Sequence, residues 1–475
     1  MNDDQKLRFF GGVGSTTGAN IMLECNQRKI LIDCGLFQGT KYAEDKNFKP
    51  FKYNPIGINF LLITHAHMDH IGRIPKLVKE GFKGKIISTK ETMELAKLML
   101  QDALKVMRSK YPKQELFNEN DIERSFAFWE GKKYGEKIKL FDDCFLEMQN
   151  AGHILGSAIL SVTISKTKIT FTGDLGNSPS LLLPDTEFPK EVDYLVMESV
   201  YGDRNHENKK DRRKKFKRAL EEGIKKGGAI IIPAFSIERT QVLLYELNEM
   251  IEGGKIAKVP VFLDSPLAEK VTAIYQKYSS DFKDLIQKEI KQGDNIFNFP
   301  GLKIIKNFEE SKEIEKTEGT KIIMAGSGMS EGGRIVNHEA NYLPDPKATI
   351  ILVGYQSIGS LGRALQDGVK KVFINTGGNK KKEAVKVRAT IENITGYSSH
   401  KDSEHLLEFV EKVATSSLTT RSSLFAKERE KKSKLKRVFV IMGEPKSSLF
   451  LVQRIKDYLN VDAVYPKEEK SYDLL

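Results

Sequence analysis

Four side chains of metal-binding type stand close together between His65 and His70, where the sequence reads His-Ala-His-Met-Asp-His. The run directly follows the apolar segment 59–64, which predicts a buried strand ending in a loop that carries the ligands. Neutral imidazoles bind borderline metals such as Zn²⁺ and a carboxylate suits harder ions, so this loop can serve two adjacent metals. The chain has only eight His in 475 residues, and chance is therefore a poor explanation of the cluster.

Length and composition are typical of a globular protein with more than one domain. A chain of 475 residues with 40% hydrophobic content can bury several cores. Its apolar stretches are strand-sized and its first residues, 1–6, are polar, so we expect a cytoplasmic protein with no membrane partner. Three cysteines without a CxxC pair favour a reducing compartment and argue against both disulfides and cysteine metal ligation.

The charge balance favours a polyanionic partner. There are 76 basic and 64 acidic residues, which give a net charge of +12. Basic residues cluster at 209–218, 380–388 and 427–437. The first cluster also has apolar residues at helical spacing, so a solvated helix face explains it equally well.

The order of predicted elements changes along the chain. Up to about residue 200, short strands predominate and one long helical tract interrupts them, which is typical of stacked sheets flanked by helices. From about 205 to 396, strands and helices alternate, which predicts crossover units on a mainly parallel sheet. Helices and strands return after 396, around a Ser/Thr-rich and then Lys/Glu-rich stretch at 414–436 that we interpret as an exposed insertion.

Further candidate ligands stand at the ends of other predicted strands. Asp33 precedes a glycine turn, His153 lies between two glycines, and Asp174 ends a strand. Together with the run at 65–70, these residues could form two metal sites that share a bridging carboxylate and a bridging water. Such a pair of metals lowers the pKa of the water and makes hydroxide available near neutral pH.

The run at 65–70 resembles the HxHxDH loop of the metallo-β-lactamase superfamily, and the other candidates follow the order of its remaining motifs. This resemblance implies an αββα sandwich. It implies one zinc held by His65, His67 and His153, and a second zinc held by Asp69 and His70. By the same resemblance, the two metals would share the carboxylate of Asp174, and Asp33 would orient a ligand.

Residues 198 to 400 resemble one branch of that superfamily, the β-CASP nucleases, which process nucleic acids and insert a second domain into the fold. The stretch 198–204 is similar to motif A of the branch, with Glu198 as its acid, and the stretch 396–402 is similar to motif B, with His400 as its histidine. Segments similar to parts of the inserted domain are 232–236, 263–267, 328–334 and 353–356.

Each residue in this set has a possible chemical role. His400 can hold a proton near neutral pH and donate it to the leaving group, and Glu198 is placed to fix or tune it. Structural alternatives are a strand-end cap for Glu198 and a helix-start residue for His400. Ser327 and Arg334, in a glycine-rich segment before a helix, could offer backbone amides and a guanidinium to phosphates. The predicted catalytic residues are Asp33, Asp69, Glu198 and His400.

One position departs from the RNA-processing members of the branch. These resemble each other in a histidine near Gly-Glu after the last long strand, and here that place is taken by Met442. A thioether is a poor ligand for Zn²⁺, so the second metal is expected to bind weakly, to take a water instead, or to occupy only part of the molecules. The DNA-directed members carry an apolar residue at this point, so the substitution also supports a DNA substrate.

The resulting hypothesis is a zinc-dependent ribonuclease that hydrolyses RNA, single strands above all, by a metal-activated hydroxide in a cleft between two domains. Its domains would be a metallo-β-lactamase core at 1–205 and 397–475, and a β-CASP insertion at 206–396. The alternatives are a DNA nuclease of the same fold and a non-catalytic nucleic-acid-binding subunit with a degraded second metal site. Hydrolysis of small thioesters or lactams is disfavoured by the inserted domain. Endonuclease or 5′ exonuclease action, homo-oligomers and protein partners stay open.

Overall fold

The computed structural model describes residues 5–25, 27–207, 209–357, 359–375, 383–416 and 433–474. The chain forms two compact units. We call residues 1–205 with 400–475 the core unit and residues 206–399 the inserted unit. Most of the predicted insertion at 414–436 lies outside the described residues. None of the helices within those residues is long and apolar enough to span a membrane.

The described part of the core unit contains two seven-stranded sheets. Strands and helices are numbered in chain order. The strands of the first sheet are β1 (Lys6–Gly11), β2 (Asn20–Cys25), β3 (Arg28–Ile32), β4 (Phe60–Leu62), β5 (Lys85–Thr89), β6 (Trp129–Lys132) and β22 (Ser471–Asp473). Those of the second are β7 (Ile138–Phe141), β8 (Cys144–Asn150), β9 (Ala158–Ile164), β10 (Thr167–Phe171), β11 (Tyr194–Glu198), β20 (Arg437–Ile441) and β21 (Ala463–Val464). Their spatial orders are β22-β1-β2-β3-β4-β5-β6 and β21-β20-β11-β10-β9-β8-β7.

The described part of the core unit also contains seven α-helices. They are α1 (Lys41–Asp45), α2 (Met68–Ile71), α3 (Ile74–Lys79), α4 (Lys90–Lys110), α5 (Glu119–Ala127), α13 (Ser403–Ser416) and α14 (Pro445–Leu459). Thr89 caps the first turn of α4, and Asn118 forms a capping box with Asp121 at the start of α5. The predicted long helical tract is thus two helices, because the first ends beside Pro112.

Alternate residues of the strands face different layers. In β11, Val196 packs in the core between the two sheets, whereas Leu195 and Met197 pack with residues of α13 and α14 on the outer face. A period of two places successive side chains on opposite faces of a sheet. On the other side, α4 contacts β5 and β6 of the first sheet. The core unit is therefore the predicted αββα sandwich.

The described part of the inserted unit is built on a six-stranded parallel sheet. Its strands are β12 (Ala229–Pro233), β13 (Val261–Asp264), β14 (Leu302–Ile304), β15 (Lys321–Ala325), β16 (Thr349–Val353) and β19 (Thr390–Ile394), in the spatial order β14-β13-β15-β12-β16-β19. Its helices are α6 (Lys209–Lys226), α7 (Arg239–Glu252), α8 (Pro266–Lys277), α9 (Asp284–Lys291), α10 (Phe308–Glu313), α11 (Ile335–Tyr342) and α12 (Leu361–Gln366). A separate antiparallel pair is β17 (Lys371–Ile374) with β18 (Glu383–Lys386). The predicted crossover units on a parallel sheet are confirmed.

Candidate metal centre

The candidate ligands of the core unit follow strands whose C-terminal ends lie at the same edge of each sheet. In the first sheet, parallel strands β3 and β4 end just before Asp33 and the run at 65–70. In the second, parallel strands β10, β11 and β20 end just before Asp174, at Glu198 and just before Met442. Parallel pairing brings these ends together, and such an edge is where open α/β sheets place their sites.

Three imidazoles and one carboxylate form a first group of ligand atoms. His67 Nδ1 lies 3.1 Å from His65 Nε2 and 3.2 Å from His153 Nε2. Asp174 Oδ2 lies 3.3 Å and 3.6 Å from those two Nε2 atoms. A tetrahedral zinc with ligands at 2.0–2.1 Å needs ligand atoms roughly 3.4 Å apart. The spacing of the four atoms therefore fits a zinc ion.

A second group shares the carboxylate of Asp174. His70 Nε2 lies 3.3 Å from Asp174 Oδ1 and 3.7 Å from Asp69 Oδ2. His70 Nε2 and Asp174 Oδ1 are buried, and neither has a hydrogen-bond partner among the described residues. Buried polar atoms are normally paired, so this pair of atoms suits a cation between them. The two oxygens of Asp174 each face one group, which is the arrangement of a bridging ligand.

Two glycines let the ligand-bearing segments approach each other. A Cβ on Gly35 would lie 1.5 Å from the carbonyl oxygen of Asp69, and one on Gly176 would lie 1.8 Å from the carbonyl oxygen of Gly152. No side chain fits at such a distance. The segments that follow Asp33 and Asp174 therefore contact the loops of the His run and of His153 through bare backbone.

Asp33 lies behind the ligands. Its backbone is in the left-handed region, with φ 57°, and its Oδ2 lies 2.8 Å from His70 Nδ1. Its Oδ1 accepts a hydrogen bond of 2.9 Å from the backbone N–H of Thr64. Asp33 thus contacts the nitrogen of His70 that faces away from the second group. Sequence reasoning gave Thr64 no role, although a hydroxyl residue between a strand end and the first His was the available signal.

His400 and Glu198 form a pair beside Asp174. His400 Nδ1 lies 3.2 Å from both carboxylate oxygens of Glu198 and 4.0 Å from Asp174 Oδ2. Glu198 is 1% exposed, and its Oε1 also accepts a 2.6 Å hydrogen bond from the backbone N–H of Leu175. The triad of Asp174, Glu198 and His400 is itself close enough to hold a cation.

Protonation in the metal-free protein follows the distribution of charge. Burial, then His65, holds the pKa of His67 well below its usual value, and burial, then His400, does the same for His153. Burial alone would lower the pKa of His70, but nearby carboxylates, Asp174 first, outweigh it and hold this pKa well above the usual value. The first group is therefore ready to bind a metal without losing protons from His67 or His153.

The pKa values of the buried carboxyl groups are likewise shifted in different directions. Burial raises the pKa of Asp69. Burial would also raise the pKa of Asp174, but His70 and His65 outweigh it and hold that pKa well below its usual value. Burial raises the pKa of Glu198. Burial alone would lower the pKa of His400, but Glu198 outweighs burial and raises this pKa to about 9. His400 therefore carries a proton at neutral pH in the metal-free protein.

Met442 directly follows β20, at the edge of the second sheet where the candidate ligands lie. It is 2% exposed, packs with the core between the sheets, and lines one small cavity with Asp33, His70 and Glu198. Its sulfur lies 2.7 Å from the place that a Cβ on Gly12 would take. The thioether is thus packed beside the second group, at the strand end.

Ser327 and Arg334 lie in the inserted unit, outside the cluster of the core unit. The Arg334 guanidinium contacts Asp264 Oδ1 at 2.5 Å and donates to the backbone carbonyl of Ile305 at 3.3 Å. Asp264 Oδ2 lies 2.7 Å from His338 Nε2. Ser327 Oγ accepts a hydrogen bond of 3.0 Å from the backbone N–H of Glu331. Arg334 therefore anchors the end of the glycine-rich loop to Asp264 and to the backbone of Ile305.

The sequence matches the metallo-beta-lactamase superfamily over residues 18–233 and the Beta-Casp domain over residues 240–365. It is 35% identical to "Ribonuclease TTHA0252" of Thermus thermophilus, over 85% of this chain and 90% of that protein. It is 32% identical to "Transcription termination factor FttA" of Methanococcus maripaludis, over 87% of this chain and 66% of that protein, so it spans about two thirds of that factor. A crystal structure of a protein of unknown function from Enterococcus faecalis V583 shares the fold, with a TM-score of 0.56 and 13% identity over 99% of this chain and 100% of that one.

Proposed function

This chain belongs to the metallo-beta-lactamase superfamily and carries its Beta-Casp domain, and from that premise we propose that it is a zinc-dependent ribonuclease. The observation that carries the proposal is the first ligand group, in which His67 Nδ1 and Asp174 Oδ2 each lie 3.1 to 3.6 Å from the Nε2 atoms of His65 and His153. The zinc ligands would be His65, His67, His153 and Asp174 in the first group, and Asp69, His70 and Asp174 in the second. When bound there, a pair of zinc ions would supply an attacking hydroxide and neutralise charge on the phosphoryl oxygens.

His400 delivers the proton that the leaving oxygen needs. Its Nδ1 faces Glu198, so the proton to be donated is the one on Nε2. Glu198 raises the pKa of His400 to about 9 in the metal-free chain, and it would both orient the ring and stabilise its charge. Asp33 orients His70 from behind.

RNA is the substrate that we propose. Its backbone suits a chain of net charge +12, and phosphate contacts alone would give salt-dependent binding with little sequence preference. Single strands are favoured, since a scissile phosphate must reach a buried group of ligands. Ser327 would contact a substrate phosphate, on a loop that Arg334 holds in place. We also propose a cytoplasmic location, in line with the cysteine content.

A DNA nuclease of the same fold is the second candidate, and Met442 is the observation that favours it. The thioether replaces the nitrogen ligand that the resemblance to RNA-processing members leads one to expect. Both candidates use the same ligand groups, so they differ in substrate and in the occupancy of the second group.

The test is cleavage of matched end-labelled RNA and DNA single strands by the wild-type chain and by Asp69→Asn, each with chelator and with added Zn²⁺. We expect zinc-dependent cleavage of RNA by the wild type and none by the variant. Asp142→Asn is the matched control, because that carboxylate is fully exposed and should leave the rate unchanged. Preferential cleavage of DNA would favour the second candidate. Cleavage of neither polymer, with zinc bound, would indicate a binding subunit.

A further inference from the structure

We propose that the hydroxyl of Thr64 is a relay by which the single carboxylate of Asp33 orients ligands of both metal groups, His70 directly and His65 through Thr64. Thr64 is then a positioning residue, which acts through His65 and touches neither substrate nor metal. The inference rests on the metal site of the proposed function, but it is independent of whether the substrate is RNA.

Thr64 lies at the centre of a buried set of contacts. It follows β4, directly precedes His65, and is 1% exposed. Its Oγ1 lies 2.8 Å from Asp33 Oδ2, 3.0 Å from His65 Nδ1 and 3.3 Å from His70 Nδ1. One side chain therefore lies within reach of Asp33 and of one ligand from each group.

Counting hydrogens leaves one consistent arrangement. An ionised carboxylate only accepts, so the single hydroxyl hydrogen of Thr64 is donated to Asp33. The remaining lone pairs of the hydroxyl can only accept, and His65 Nδ1 must then carry a hydrogen. His70 Nδ1 likewise donates to Asp33 Oδ2, at 2.8 Å. In the neutral form that binds a metal, both rings then have an unprotonated Nε2, and these are the atoms that face Asp174.

The backbone and packing around Thr64 fix the hydroxyl in this place. The Thr64 N–H donates to Asp33 Oδ1 at 2.9 Å, and the Thr64 carbonyl accepts from the N–H of Ala158 at 2.8 Å. A Cβ on Gly173 would lie 2.6 Å from Thr64 Cβ, so the residue before Asp174 is packed directly on Thr64. Thr64 thus contacts the segments that carry Asp33, the His run and Asp174.

The chemical consequence concerns the tautomer of His65. A neutral imidazole without a partner at Nδ1 also populates the form with hydrogen on Nε2, which must rearrange before it can bind a metal. Loss of such an orienting contact typically weakens metal binding about 10- to 100-fold. The two ligand groups are then connected in two ways. Asp174 offers one oxygen to each group, and Asp33 orients a histidine of each group, His70 directly and His65 through Thr64.

The first test measures zinc affinity of the full chain by competition with a chelating dye. Thr64→Val keeps the shape of the side chain and removes the hydroxyl. We expect its affinity for the more tightly bound of the two zinc ions to fall about 10- to 100-fold. Thr64→Ser keeps the hydroxyl and should restore affinity to near the wild-type value. Thr170→Val is the matched control, because Thr170 is equally buried but its hydroxyl contacts Ser161.

The outcomes separate a relay from a merely structural role. Unchanged affinity in Thr64→Val would overturn the proposal, and so would an equal loss in Thr170→Val. Failure of Thr64→Ser to restore affinity would also contradict it.

A second measurement needs no variant. In zinc-free wild type at pH 9, ¹⁵N NMR of the histidine rings should show His65 with its hydrogen on Nδ1, and a hydrogen on Nε2 instead would overturn the relay. A protein that fails to cleave RNA but shows these zinc affinities and this tautomer would refute the proposed function and leave the relay standing.

Discussion

Two buried clusters of this protein contain the same kinds of side chain and differ in how their charges are satisfied. In the inserted unit, both oxygens of Asp264 have partners, Oδ1 with Arg334 and Oδ2 with His338 and Ser311. In the core unit, Asp174 Oδ1 has no hydrogen-bond partner among the described residues, although imidazoles surround it.

The direction of the pKa does not distinguish the two clusters. Burial opposes ionisation of Asp264, yet the hydrogen bonds of its partners, His338 first, lower its pKa, and the pKa of Asp174 is lowered as well. The difference lies in the donors. Both oxygens of Asp264 have hydrogen-bonding partners, whereas Asp174 Oδ1 and His70 Nε2 lie 3.3 Å apart and neither has a hydrogen-bond partner among the described residues. Buried polar atoms without hydrogen-bond partners are ones that a cation can satisfy.

The largest effect is expected from Asp174→Asn. An amide cannot bridge two cations as a carboxylate does, so zinc should fall from two ions per chain to one or fewer, and cleavage of RNA should be lost. Metal analysis of the dialysed protein measures this directly. Retention of two zinc ions would show that Asp174 is not shared by the groups.

The matching change in the other cluster, Asp264→Asn, should leave zinc content at the wild-type value and act on stability. It strands the guanidinium of Arg334 in a mostly buried position, and the loss of one partner of a buried pair costs about 3 kcal/mol of unfolding free energy. Urea unfolding measures the loss. If zinc content fell with a stable fold, the comparison between the clusters would break down.

The inserted unit contains another buried carboxyl group, Glu339, next to His338 in the sequence. Its titration should make the stability of the protein depend on pH. Burial raises the pKa of Glu339 to about 8, from 4.5, while Ser330 donates to it. Between these values the folded state holds a proton that the unfolded state lacks. The unfolding free energy therefore falls as pH rises towards 8, by at most ~1.4 kcal/mol per pH unit. Glu339→Gln should flatten this slope, and an unchanged slope would show that Glu339 does not titrate there.

The smallest effect is expected from Met442→His. An imidazole at this strand end adds a nitrogen ligand beside His70, so the weaker zinc should bind about 10-fold more tightly. Met442→Leu keeps an apolar side chain of similar size and should bind zinc as the wild type does. The measurement is the affinity for the second zinc by dye competition. Equal affinities in both variants would show that position 442 does not face the metals.

Sequence reasoning could predict what depends on local order along the chain. Strand and helix patterns predicted stacked sheets flanked by helices and the parallel sheet of the inserted domain, because hydrophobic period and alternation are local properties. The αββα sandwich itself was implied by the resemblance of the run at 65–70 to a known family. The residues of the metal groups stand at strand ends, and the structure brings them together. The partner of Arg334 could not be predicted, since Asp264 is far from it in sequence and meets it only through packing. Thr64 was missed although it stands between a strand end and the first His, because its contacts with Asp33 and His70 appear only in the folded chain.

The most direct test of the account is anomalous diffraction at the zinc absorption edge from crystals of the zinc-loaded protein. The account predicts two peaks roughly 3.5–4 Å apart in the core unit, one within ligand distance of His65, His67 and His153, and both within ligand distance of Asp174. The absence of any peak at these residues, or a zinc peak at Asp264 instead, would contradict it.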